Sequence, residues 1–257
     1  MPMIQLPHAH LFYAHHQPEN ASQSLLLIHG AGGSHLSWPA ELRRLPHTAV
    51  YALDLAGHGR SHPPGRNTIE AYTQDVLDFI TALKLENMFV LGHSMGGAIA
   101  QMVGLAQPPG VMGLILAGTG AKLRVSPAVL TAIQDDFAAA VDLLNKFYWS
   151  GDQNPDVEAA NRRTMLACPP EVMLNDFLAC DQFDVRNQLA QITLPTLVIS
   201  ASADQMTPAK FGQFLADQLP QAELALIEQA GHMMMLESPT QVTQLVADFV
   251  KKTGGAL

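Results

Sequence analysis

The chain alternates between two hydrophobic rhythms. Short, nearly unbroken apolar runs at 24–30 (SLLLIHG), 49–55 (AVYALDL), 88–94 (MFVLGHS), 111–118 (VMGLILAG), 196–202 (TLVISAS) and 222–228 (AELALIE) are separated by segments of helical period. Continuous apolar runs predict strands buried on both faces, as in parallel sheets. Between two of them, Ile69, Tyr72, Val76, Phe79, Ile80 and Leu83 recur at three- and four-residue steps, which puts one apolar stripe on a helix over 68–83. Val242, Leu245, Val246, Phe249 and Val250 repeat the pattern after Ser238-Pro239, a favourable helix start. The segment 3–17 reads as an antiparallel hairpin at the edge of the sheet. Alternation of strand and helix predicts an α/β fold built on a mostly parallel, doubly wound sheet.

One stretch breaks the rhythm. No strand pattern occurs over 120–192. Val129, Ile133, Phe137, Val141, Leu144 and Tyr148 instead predict one long helical stripe that opens at Ser126-Pro127. Shorter helical patterns follow at about 155–167 and 170–180, on either side of Pro169-Pro170. The expected organisation is a core of 1–119 and 193–257 with a helical lid, 120–192, inserted between two strands over the C-terminal edge of the sheet. A surface for another protein is the alternative use of such an insertion.

Candidate chemistry centres on GHSMG, residues 92–96, a G-x-S-x-G pattern. A chain of this length carries such a pattern by chance in roughly one case in ten, so its setting matters more than its letters. Met88–Leu91 reads as a strand and Ala98–Ala106 as a helix, the strand–turn–helix context that exposes a serine hydroxyl at a sharp apex. A serine needs a base beside it. Asp204 (in SASADQMTP) and His232 (in AGHMMMLESP) each follow a predicted strand, which brings them to the same sheet edge as Ser94. The candidate catalytic set is therefore Ser94, Asp204 and His232.

With IHGAGGS (28–34) and DLAGHGRS (54–61) added, these motifs resemble the α/β-hydrolase superfamily, in the branch of small serine esterases, lactonases, cofactor-free haloperoxidases and C–C bond hydrolases. The resemblance covers about 24–118 and 194–250. It implies a Ser-His-Asp triad in the order Ser94, Asp204, His232 and an oxyanion hole made by the backbone N–H groups of Met95 and Ala31, with Gly32 as the alternative to Ala31. It also implies cleavage of carboxylic esters of small to medium apolar substrates through an acyl-enzyme, without a cofactor. The alternative is a lactonase or C–C hydrolase acting on a carboxylated ring-cleavage product, which needs a cation at the pocket; Lys122, Arg124, Arg162 and Arg163 are candidates. A ligand-binding protein on the same scaffold is a further alternative. Substrate-contact candidates are Gly32, Trp38, Tyr148, Trp149, Met206 and Met233. His29 and His58 read as structural, and His93 is expected to turn away from its neighbour Ser94.

Composition narrows the rest. The 257 residues are 48% hydrophobic and only 14% charged, which fits a core-rich globular chain. A net charge of −9 without a basic run argues against a nucleic-acid partner. The start, MPMIQLPHAHLFY, lacks the basic and apolar regions of a secretory signal, and no run approaches the ~18 apolar residues of a membrane span. A cytoplasmic protein acting on a small molecule is expected, with Cys168 and Cys180 as free thiols. His8, His10, His15 and His16 fit no zinc-ligand spacing, so no metal is expected. The pattern sets no oligomeric state.

Overall fold

The computed structural model describes residues 2–151 and 154–255. Its strands are β1 (Met3–Gln5), β2 (His10–His16), β3 (Gln23–Ile28), β4 (Thr48–Leu53), β5 (Met88–His93), β6 (Val111–Ala117), β7 (Thr196–Ala201) and β8 (Ala222–Ile227). They form one eight-stranded sheet in the order β1-β2-β4-β3-β5-β6-β7-β8. The N-terminal hairpin is antiparallel and occupies the edge, as its pattern predicts; from β4 to β8 every pairing is parallel. The α/β class with a mostly parallel sheet is observed.

The helices are α1 (Ala40–Arg43), α2 (Ile69–Leu83), α3 (Met95–Ala106), α4 (Pro127–Asp135), α5 (Phe137–Tyr148), α6 (Pro155–Ala167), α7 (Pro170–Gln182), α8 (Ala209–Gln218), α9 (Met234–Glu237) and α10 (Pro239–Gly254). One face of the sheet packs on Val76 and Phe79 of α2, Ile99 and Val103 of α3 and Leu215 of α8. The other packs on Leu42 of α1 and Val242, Val246 and Phe249 of α10. Coverage on both sides explains the unbroken apolar runs. Each fully buried Leu, Ile or Phe contributes about 1.5–3 kcal/mol, comparable to the ~1–2 kcal/mol of backbone ordering at its own position.

Two expectations need correction. The stripe from Val129 to Tyr148 is two helices, not one. Asp136 leaves helical geometry at φ −149°, ψ 94° and its carboxylate accepts the Ala139 N–H at 3.0 Å, capping α5. A short carboxylate that bonds the backbone favours a cap over a helix interior. Apolar periodicity alone does not register that break. Likewise β8 is not buried on both faces: as the outermost strand it leaves Leu224 and Leu226 37% and 42% exposed.

Strand register aligns the C-terminal ends: Ile28 pairs with Gly92, His93 with Ala117, Ala117 with Ile199 and Ala201 with Ile227. The loops leaving these strands therefore meet along one edge, and α4–α7, inserted between β6 and β7, pack there.

Candidate active site

Ser94 sits between β5 and α3 at φ 53°, ψ −117°, a positive-φ conformation that costs a non-glycine residue roughly 1–3 kcal/mol. Its surroundings hold it there. The Ser94 N–H donates to the Ala117 carbonyl (3.0 Å), and its own carbonyl accepts from the Gly97 N–H (2.9 Å) and the Thr119 hydroxyl (2.8 Å). The glycines make the turn possible for steric reasons: a Cβ on Gly96 would overlap the carbonyl oxygens of Ile28 and His29, and one on Gly92 would overlap the Gly96 carbonyl.

Asp204 and His232 leave β7 and β8 and meet. His232 Nδ1 donates to Asp204 Oδ2 at 2.9 Å, with both side chains buried. The same oxygen accepts the Thr207 hydroxyl (2.8 Å), and Oδ1 accepts the N–H groups of Met206 and Thr207 (2.8 Å each). Burial alone would raise the Asp204 pKa, but the His232 ring and the Thr207 bonds outweigh it and hold the carboxyl below its ordinary range. An ionised Asp204 fixes the tautomer that leaves His232 Nε2 unprotonated.

Ser94 and His232 line two cavities together. One is also lined by Gly30, Ala31, Tyr148, Met165 and Met233. The other, the larger, is also lined by Ala31, Arg124, Val125, Phe177, Met206 and Phe211. Among the described residues the N–H groups of Ala31 and Met95 have no internal partner, whereas Gly32 N–H donates to Asp176 Oδ2 at 2.9 Å. Of the two first-loop N–H groups considered, only that of Ala31 is therefore left for a ligand. Met95 opens α3, whose N-terminal end favours negative charge.

Of the substrate-contact candidates, Tyr148, Met206 and Met233 line these cavities. Gly32, Trp38 and Trp149 line neither. Gly32 packs against Met173 and is held by Asp176. Trp38 is 1% exposed, with its ring edge-on to His93. Trp149 turns its indole N–H back onto Asn145 at 3.2 Å. Among the cations, Arg124 lines the larger cavity and has no partner among the described residues. Lys122 is paired with Asp184 and Arg162 with Asp142. Arg163 lines a separate surface groove.

The other histidines have defined structural contacts. His29 Nδ1 donates to the Gly30 carbonyl and Nε2 accepts the Leu55 N–H; burial pushes its pKa down to about 4. His93 does not simply turn away: its Nε2 donates to the His232 carbonyl at 2.9 Å and its ring lies 4.6 Å from that of His232. Burial pushes its pKa down to about 3, so it is a neutral brace for the His232 loop. His58 is different, with Nε2 on Asp176 Oδ2 (2.7 Å) and Nδ1 on the Ala56 carbonyl (3.1 Å). Burial alone would lower its pKa, but the ion pair with Asp176 holds the ring well above the ordinary histidine range.

Asp176 itself was not a candidate in the sequence reading. It is fully buried on α7 and also accepts the Tyr72 hydroxyl on Oδ1 at 2.7 Å. Its sequence signal is a carboxylate on an otherwise apolar helix face, among Val172, Met173, Phe177 and Cys180. The insertion is joined to the core a second time where Met233 N–H donates to the Tyr148 carbonyl and Ser150 bonds Gln229 and Glu237.

No group of three or more His, Cys, Asp or Glu among the described residues is arranged to hold a metal ion. No helix among them is long and apolar enough to cross a membrane. Cys168 and Cys180 are buried free thiols.

Residues 25–245 match the model of the alpha/beta hydrolase family. The chain belongs to that family. This alpha/beta hydrolase is 28% identical over 242 residues to 3-oxoadipate enol-lactonase 1 of Acinetobacter baylyi, covering 91% of this chain and 90% of the relative. It is 26% identical over 244 residues to a pimeloyl-[acyl-carrier protein] methyl ester esterase of Yersinia pseudotuberculosis, covering 89% and 93%. Among solved structures, the enol-lactonase from Burkholderia xenovorans LB400 superposes with a TM-score of 0.90 at 25% identity, covering 97% of this chain and 100% of that one.

Proposed function

We propose that this alpha/beta hydrolase cleaves carboxylic esters through an acyl-enzyme formed on Ser94. The observation that carries the reading is a strained, half-buried serine at the apex of its turn, sharing its cavities with a histidine whose far nitrogen is fixed by a buried carboxylate. Ser94 Oγ attacks the ester carbonyl as His232 Nε2 takes its proton, and Asp204 stabilises the imidazolium that forms. The oxyanion rests on the N–H groups of Ala31 and Met95, each contributing a few kcal/mol to barrier lowering. His232 then protonates the departing alcohol and activates water to release the acid. The sequence of steps needs no cofactor.

Residues 120–192 act in this reading as the lid over a core of 1–119 and 193–257, supplying Tyr148, Met165 and Phe177 to the cavity walls. Their apolar surfaces suit an acyl or alkyl group. Ser94→Ala is expected to lower kcat/KM for p-nitrophenyl butyrate by roughly 10⁴-fold; unchanged turnover overturns the mechanism.

Arg124 supports a second reading. A guanidinium with no partner among the described residues, at the wall of the larger cavity, suits a lactone, or a C–C bond substrate, bearing a carboxylate. Preference for such lactones over neutral esters in a side-by-side panel, lost in Arg124→Ala, selects it.

A further inference from the structure

The larger cavity does not end at Arg124. Arg124 and Phe211 also line a surface groove of about 740 Å³, together with Ala121, Lys122, Arg186, Lys210 and Phe214. Four cations thus meet at one groove in a chain that has 14 in all and a net charge of −9. Lys122 (2.6 Å) and Arg186 (2.8 Å) share one carboxylate, that of Asp184. Arg124 has no partner among the described residues, and Lys210 has only the Phe211 ring at 5.8 Å. The groove therefore carries more positive charge than its own carboxylate balances. Phe211 and Phe214 add an apolar wall, Phe214 being 39% exposed. Its position follows from the chain: α8, which supplies Lys210, Phe211 and Phe214, begins five residues after Asp204.

We propose that this outer groove binds an anionic group at the far end of the substrate, with the scissile ester at Ser94 and an apolar stem passing Phe211. The inference rests on the hydrolase reading above and extends it. The substrate class is an acyl ester ending in a carboxylate or a phosphate. It differs from a small carboxylated lactone because the anion lies outside the catalytic cavity, beyond Arg124.

The test uses p-nitrophenyl monoesters of straight-chain dicarboxylic acids of increasing length, each beside its neutral methyl-capped counterpart, and a phosphate-ended ester as a separate arm. The expected result is a kcat/KM preference for the anionic member that appears only in the longer chains and weakens as salt rises. Lys210→Ala should reduce that preference about threefold to fivefold, the scale of one exposed ion pair; Lys210→Glu should reduce it further. The better of the two anionic arms identifies the headgroup. Equal rates for anionic and neutral members at every length overturn the proposal, as does a preference confined to the shortest diacid and untouched at Lys210. Ser94→Ala on the neutral esters reports on the hydrolase reading separately. Calorimetric titration of that variant with the monomethyl ester of octanedioic acid reads binding without turnover: saturable binding weakened by adding Lys210→Glu supports the groove, and binding indifferent to it overturns it.

Discussion

The carboxylate of Asp176 accepts the backbone N–H of Gly32 at 2.9 Å, joining the inserted helices to the loop after β3 across 144 positions of sequence. Through this bond and those from His58 and Tyr72, one buried group fixes the peptide that follows Ala31. Docking of the insertion and shaping of the proposed oxyanion hole are thus one event. Asp176→Asn keeps the shape but removes the charge that pairs with His58; loss of a buried ion-pair partner costs on the order of 3–5 kcal/mol. We expect lower stability and a kcat reduced about tenfold or more with KM little changed, since the affected donor acts on the transition state. A variant destabilised but with unchanged kcat would show that Asp176 only packs the insertion.

Thr207 has a narrower task. Its hydroxyl bonds Asp204 Oδ2 at 2.8 Å and lies 3.3 Å from His232 Nδ1. Thr207→Val preserves volume and removes one hydrogen bond to a charged group, worth about 1.5–3 kcal/mol. A fall in kcat of about tenfold is predicted, with Thr207→Ser restoring most of it. Full activity in the valine variant would mean that the two backbone N–H bonds hold Asp204 unaided.

Gly96, beside the serine turn, and Gly151, after α5, make a contrasting pair. A Cβ at Gly96 meets backbone oxygens that cannot move without shifting β3, whereas one at Gly151 meets nothing within 4 Å among the described residues. Gly96→Ala should cost more than ~4 kcal/mol, or prevent folding, and Gly151→Ala should stay within ~0.5 kcal/mol. Denaturant midpoints of the two variants check this directly.

Acid should destabilise the fold before it protonates most carboxylates. His29 and His93 titrate near 4 and 3 when folded, against about 6.5 unfolded. Between those limits the unfolded chain binds more protons, so stability rises with pH and is lost as pH falls below about 6.5. The loss, when fully developed, is on the order of 3 kcal/mol for His29 and 5 kcal/mol for His93. His58 acts oppositely: with its folded pKa raised, its contribution is complete below about 6.5 and declines as pH rises towards the folded value. Urea midpoints between pH 4.5 and 9 should therefore fall on both sides of neutrality. A flat profile from pH 5 to 7 would contradict the assignment of His29 and His93 as buried neutral rings.

Much of this was legible from residue order. Continuous apolar runs marked the parallel strands, and the loops carrying Ser94, Asp204 and His232 were placed at one edge because parallel strands end together. What escaped the sequence was long-range polar pairing. Asp176 was not singled out: although it is a carboxylate on an apolar helix face, nothing local says that its partners are Gly32, His58 and Tyr72. Trp38 and Trp149 have the size and chemistry of pocket residues, but the first packs on His93 and the second bonds Asn145. The halt at Asp136 depends on one side-chain-to-backbone bond, to which hydrophobic periodicity is blind.

The most direct test follows the acyl group itself. Enzyme mixed with p-nitrophenyl acetate, quenched in acid within the first turnover and mapped by peptide mass spectrometry should carry an acetyl group on Ser94, matched by a burst of nitrophenol. The Ser94→Ala protein should show neither. Turnover without an adduct, or an adduct on another residue that persists in the alanine variant, would contradict the mechanism.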